Sequence, residues 1–146
     1  QTAIKFYNES IEHETDNLKK AKTLYKIALK FKKSKQFSQS RNYANRALKF
    51  QPSLGSAYLL IANLYASSAN NCGNSQFDKR AVYWLAAKEA RRAASVDASI
   101  RKTANRTAVS YEGRAPSKTD IFTEGKAGET IRFSCWVNDS VKVPQL

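Results

Sequence analysis

Lys19, Lys22, Lys26, Lys30 and Lys33 recur at spacings of three and four residues, which on a helix makes one row of ammonium groups about four turns long. Such a row attracts anions. Between Asn17 and Phe77 there is no aspartate or glutamate to neutralise it, while Lys19 through Lys49 supply eleven basic residues. The 146-residue chain carries a net charge of +13, so the imbalance is concentrated in this region. Two cysteines, Cys72 and Cys135, can form one bridge or remain two unrelated buried thiols. With the single histidine, His13, they are too few for a structural zinc site. His13 itself reads as a surface or packing residue. No nucleophile–base spacing, glycine-rich phosphate loop or paired-carboxylate arrangement stands out, so no catalytic residue is assigned and no cofactor or metal is implied.

The row needs a helix to carry it, and the apolar pattern supplies one. Asp16 or Asn17 can cap a helix running to about Lys33, with Leu24, Ile27, Ala28 and Phe31 on the side away from the lysines. Ser34, Lys35 and Gln36 turn the chain into a second helix from about Phe37 to Phe50, which Gln51-Pro52 ends because proline lacks the amide donor. At 42% hydrophobic the chain can bury a real core, yet no apolar run approaches the roughly 18 residues that span a bilayer.

Counting Pro52 as position 32 of a 34-residue template places Leu24, Ile27, Ala28 and Phe31 at positions 4, 7, 8 and 11. Phe37, Ala44, Ala47 and Leu48 fall at 17, 24, 27 and 28. This spacing resembles the tetratricopeptide repeat, in which large and small residues interlock so that two antiparallel helices pack closely. A second unit places Tyr58, Ile61, Ala62 and Tyr65 at 4, 7, 8 and 11, and resumes with Tyr83, Ala86, Ala90, Ala93 and Ala98 in register with 17, 20, 24, 27 and 32. Between the halves, residues 67–80 (SSANNCGNSQFDKR) exceed the template by about a dozen residues, and an extended loop is expected there.

The expected fold is mainly α: an array of antiparallel helix pairs, an α-solenoid, with a small C-terminal β-hairpin. Residues 1–16 read as the end of a preceding repeat, packing through Ala3, Ile4, Phe6, Tyr7, Ser10 and Ile11, so that the natural chain is expected to continue upstream. Residues 18–52 form one repeat, 53–98 a second with the insertion, and 99–112 a capping helix with Ala104, Thr107, Ala108 and Tyr111 at 4, 7, 8 and 11. From Gly113 to Leu146 the pattern changes. Asp120-Ile121-Phe122 and Glu129 to Val137 have strand composition, with Ile131, Phe133, Cys135 and Val137 on one face, and Asn138-Asp139-Ser140 can turn into Val141-Lys142-Val143. A lone hairpin is marginal in water, so this one must pack on the array.

A narrower likeness begins at Ala57 (AYLLIANLYASSANNCG), continues from Phe77 (FDKRAVYWLA) and ends in Cys-Trp-Val-Asn at Cys135. It resembles the C-terminal region of exported tetratricopeptide repeat proteins of Bacteroidota, covers most of the chain from about Ala21 onward, and includes both cysteines and the insertion. The resemblance, together with the placement of one cysteine in each non-helical feature, implies a Cys72–Cys135 bridge. It also implies a non-enzymatic interaction scaffold in the periplasm or cell envelope, soluble or peripherally attached, forming part of a larger membrane-associated assembly. In this repeat class the first helix of each pair lines a concave groove. The resemblance therefore puts Lys22, Tyr25, Lys26, Lys30, Lys33, Asn63, Lys102 and Arg106 toward an acidic protein or peptide, the alternative being a solvated, solubilising lysine face.

Lys102 and Arg106 stand at positions 2 and 6, where related co-chaperone repeats clamp a terminal carboxylate, but Tyr25, Leu29 and Leu60 replace the other clamp residues. Nucleic acid is the competing partner for so basic a chain, although the row lacks the interleaved aromatics that stack bases. An accessory role in an enzyme complex is the third reading. Asn8, Asn105 and Asn138 open N-glycosylation tripeptides, and Asp139-Ser140-Val141 resembles a short O-glycan acceptor; both are frequent by chance.

Overall fold

The computed structural model describes residues 2–146. It is mainly helical, with one two-stranded antiparallel sheet near the C-terminus. Helix α1 (Thr2–His13) leads into α2 (Asn17–Lys33), whose first turn is capped by the Asp16 carboxylate accepting from the Leu18 and Lys19 amides at 2.9 and 3.3 Å. α2 turns at Lys35, in the left-handed region at φ 61°, and packs along α3 (Phe37–Phe50). Ala28 packs in the same core as Ala44, Leu24 with Ala47 and Phe31 on the Tyr43 ring, Ile27 is fully buried, and the buried Ser40 hydroxyl donates to the Ala28 carbonyl at 2.7 Å. Of the packing residues expected on α1, Ile11 meets this core and Ile4 and Tyr7 are half-buried. Ala3, Phe6 and Ser10 remain exposed, because among the described residues no element covers that side.

Helix α4 (Gly55–Ser67) packs on α6 (Gln76–Val96), and α6 on α7 (Arg101–Arg114) after a 3-10 turn at Ala98–Ile100. Alanines make these approaches close: Ala62, Ala81, Ala86, Ala90, Ala93, Ala104 and Ala108 are fully buried. Gly55 has the same function at the start of α4, where a Cβ would lie 2.5 Å from that of Asp97. The Asp97 carboxylate accepts the Gly55 amide at 3.1 Å and joins the two helix ends.

The segment 67–80 is not an extended loop. Ser67 belongs to α4, a four-residue helix α5 (Ala69–Cys72) follows, and α6 begins at Gln76 under the Ser75 cap, well before the Tyr83 register point. The apolar residues in the segment account for this, since Ala69, Cys72 and Phe77 are all buried in the main core. Gly73 presses its backbone on the first turn of α6, where a Cβ would lie 2.3 Å from the Lys79 nitrogen.

Asp120-Ile121-Phe122 is also not a strand. Ser117 and Asp120 form a reciprocal capping box, at 2.8 and 3.1 Å, that starts helix α8 (Lys118–Glu124), and Gly125 closes it at φ 62°. Arg80 ties α8 to α6 by an ion pair to Asp120 at 2.9 Å and bonds to the Arg114 and Ala115 carbonyls. The sheet pairs β1 (Thr130–Phe133) with β2 (Asp139–Lys142), Ile131 opposite Val141. β1 stops sooner than its alternation suggests. The turn falls at 135–138, where the Asn138 amide bonds the Cys135 carbonyl and Asn138 takes φ 46°, so Cys135 lies in the connection and not on a strand face. Ile131, Phe133, Val137 and Val143 enter the core beside α4 and α6.

Candidate functional site

At about 100° per residue, Lys19, Lys22, Lys26, Lys30 and Lys33 cover the side of α2 opposite its buried seam, and all five are exposed. Among the described residues none of them is in an ion pair, the four pairs present lying at Arg80, Arg91, Arg92 and Lys126. Lys20, off the row, lies over the Phe50 ring at 5.1 Å.

Between this face and the seam, a third row of α2, formed by Tyr25, Leu29 and Lys32, meets α4 across a cleft of about 120 Å³ completed by Ser56, Leu59, Leu60 and Asn63. Tyr25 and Asn63 are thus brought together. Lys22 is one turn before Tyr25, at the edge of the cleft, with Lys33 beside Lys32, while Lys26 and Lys30 point further out. Burial raises the Tyr25 phenol pKa, so it remains a neutral donor. The Asn63 amide oxygen accepts from the Tyr111 hydroxyl at 2.5 Å, which joins α4 to α7. Lys102 and Arg106 are exposed on α7 and do not line the cleft. The cation within it is Lys32, which the lysine count passes over in favour of Lys33; the apolar row Tyr25, Leu29 at four-residue spacing is the signal that points to it.

On the other side of the molecule, Arg41 fastens the C-terminal turn. Its Nη1 donates to the Val137 carbonyl at 2.7 Å and the Tyr65 hydroxyl at 3.1 Å, and its Nη2 to the Trp136 carbonyl at 3.2 Å. The guanidinium lies 4.9 Å from the Trp136 ring centre. Trp136 packs on Phe37 and Tyr65 and donates its indole N–H to Ser68 at 2.8 Å. Next to it the Cys72–Cys135 disulfide is formed, with Cα atoms 5.2 Å apart. Trp136 enters the sequence reading only as part of the Cys-Trp-Val-Asn likeness, and Arg41 reads as one more cation in a basic stretch, because its carbonyl partners lie 95 and 96 residues away.

Glu89 on α6 is a buried acid, 8% exposed. Burial raises its pKa above the ordinary carboxylate range, and Arg92, at 3.2 Å, offsets this only in part. The folded chain therefore holds this proton more tightly than the unfolded chain does. Ionised Glu89 lowers stability, with no penalty below the ordinary carboxylate range and the full penalty above its raised folded value. Glu89→Gln should melt at least as high as the parent at neutral pH and converge with it in acid, since the half-exposed Arg92 contact adds little. Thermal melts of both proteins from about pH 4 to about pH 8 check this. A parent whose melting temperature rises relative to the variant as Glu89 ionises would contradict it.

Comparison of the chain with protein-family models, with curated proteins and with solved structures finds no match.

Proposed function

We propose that the chain is a non-enzymatic interaction scaffold of the tetratricopeptide type, in which α2–α3 and α4–α6 act as successive helix pairs and α7 follows as a cap. The cleft between α2 and α4 and the lysine face beside it then receive an acidic protein or peptide. The observation that carries this reading is the row of exposed, unpaired lysines running alongside a small cleft that combines apolar walls with hydrogen-bonding groups. Like charges at three- and four-residue spacing each cost a helix a few tenths of a kcal/mol, and an anionic partner would relieve that repulsion. The disulfide is compatible with an extracytoplasmic setting, such as an envelope assembly, and among the described residues no helix is long and apolar enough to cross a membrane.

Lys26→Glu combined with Lys30→Glu tests the reading. Titrating a fluorescein-labelled glutamate-rich peptide with the full chain, the expected result is an affinity loss of about tenfold or more in the variant, with unchanged helicity and melting temperature. Equal binding by parent and variant would make the row a solubilising face. Displacement of the peptide by excess duplex DNA, with a steep linear dependence on log salt, would favour the nucleic-acid reading instead.

A further inference from the structure

Helix α4 has a second working face. Ser56, Leu59 and Asn63 look into the cleft on α2, whereas Tyr58, Ile61 and Tyr65, about half a turn away, form the floor of a separate hollow of about 350 Å³. α3 and α6 provide its walls, and Asp139 of β2 closes one end.

The groups around this hollow are polar but electrically balanced, Arg41 and Arg92 standing against Glu89 and Asp139. Arg41 spends its donors on Val137, Trp136 and Tyr65. Arg92 donates to Glu89 Oε1 at 3.2 Å. With two guanidiniums beside two carboxylates, the hollow carries no excess charge to draw an ion of either sign. The Asn42 and Asn45 amides and Glu89 Oε2 have no hydrogen-bond partner among the described residues, and Tyr58 lines the same hollow from its floor. Unengaged acceptors and amide donors around an aromatic ring suit a ligand whose hydroxyls both give and accept hydrogen bonds and whose C–H face rests on the ring. The volume lies near the small end of the roughly 300–1,000 Å³ typical of ligand pockets.

We propose that this hollow is a binding site for one saccharide ring, separate from the lysine face, whose closing wall is held in place by the Arg41 anchor and the Cys72–Cys135 bond.

Amide chemical-shift titration of the ¹⁵N-labelled full chain with methyl glycosides and with the corresponding free reducing sugars tests it, with inorganic phosphate and spermidine as charged probes. Saturable shifts at Asn42, Asn45, Tyr58 and Arg92 with at least one sugar are expected. Equal response to a methyl glycoside indicates a terminal unit of a glycan, and response to the reducing sugar alone a free monosaccharide. Glu89→Gln and Asn45→Ala should each weaken binding by about tenfold. Asn45 is exposed, so its variant reports on the site even if the change at Glu89 disturbs packing. Reduction of the disulfide should weaken binding as well, because Asp139 follows the anchored turn. The proposal is overturned if no sugar shifts these amides at concentrations of tens of millimolar, if phosphate or spermidine shifts them at lower concentration than any sugar, or if Asn45→Ala and Glu89→Gln bind like the parent.

Discussion

Opening the Cys72–Cys135 disulfide should lower the stability of the chain by about 4 kcal/mol, which for a domain of this size would move the melting temperature by about 12 °C. The bond joins residues 63 positions apart, so in the chain-entropy account it removes a long loop's freedom from the unfolded state. It also fastens α5 to the turn between β1 and β2, two short elements that have little independent stability. Guanidinium unfolding of the parent and of the Cys72→Ser, Cys135→Ser double variant, each with and without reductant, measures the loss. The variant should be insensitive to reductant and keep most of its helicity, because the helix cores of α2–α3 and α4–α6–α7 do not depend on the bond. A loss under about 1 kcal/mol would contradict the chain-entropy account and mean that the unfolded chain is already compact enough without the bond to hold the two ends close.

Arg41→Ala should cost about 3 kcal/mol. Two backbone carbonyls and the Tyr65 hydroxyl lose a charged donor together, and the Trp136 ring loses its cation. Arg41→Lys should recover less than half, because a single ammonium on a flexible stem cannot reproduce the planar fork that serves both Val137 and Trp136. The same unfolding experiment reads both variants. Because Arg41 and the disulfide hold the same turn, their combined loss should be smaller than the sum, and a double-mutant cycle measures that coupling. Fully additive losses would show that the two anchors act on independent segments.

These anchors mark the limit of what the sequence discloses. α2 and α3 were legible because their signals are local: Asp16 ahead of an apolar period, Pro52 behind one, and alanines where two helices must touch. The disulfide was legible as a pairing of two cysteines, without its surroundings. α8 was hidden by the β-forming residues Ile121 and Phe122, although the Ser117 and Asp120 spacing that overrides them was present. The compaction of residues 67–80 depends on burying Ala69, Cys72 and Phe77 against a core assembled from distant elements, which no local pattern reports. The same holds for Arg41, whose carbonyl partners lie 95 and 96 residues away, and for Glu89, whose burial is set by the crossing of helices. For the candidate interface, spacing identified the charged row but not which lysine enters the cleft, because Lys32 and Lys33 differ by a single residue's rotation about α2.

Whether the proposed acidic partner docks in the cleft between α2 and α4, beside the lysine row, is decided by where a bound peptide sits. A glutamate-rich peptide carrying a benzophenone at its centre, photolysed with the full chain and mapped by mass spectrometry, gives that position. Crosslinks are expected to concentrate on α2 and α4 at Tyr25, Leu29 and Leu59 and their neighbours, suppressed by unlabelled peptide and by Lys26→Glu with Lys30→Glu. Crosslinks scattered over the surface, or confined to α7 and the C-terminal segment, would contradict it.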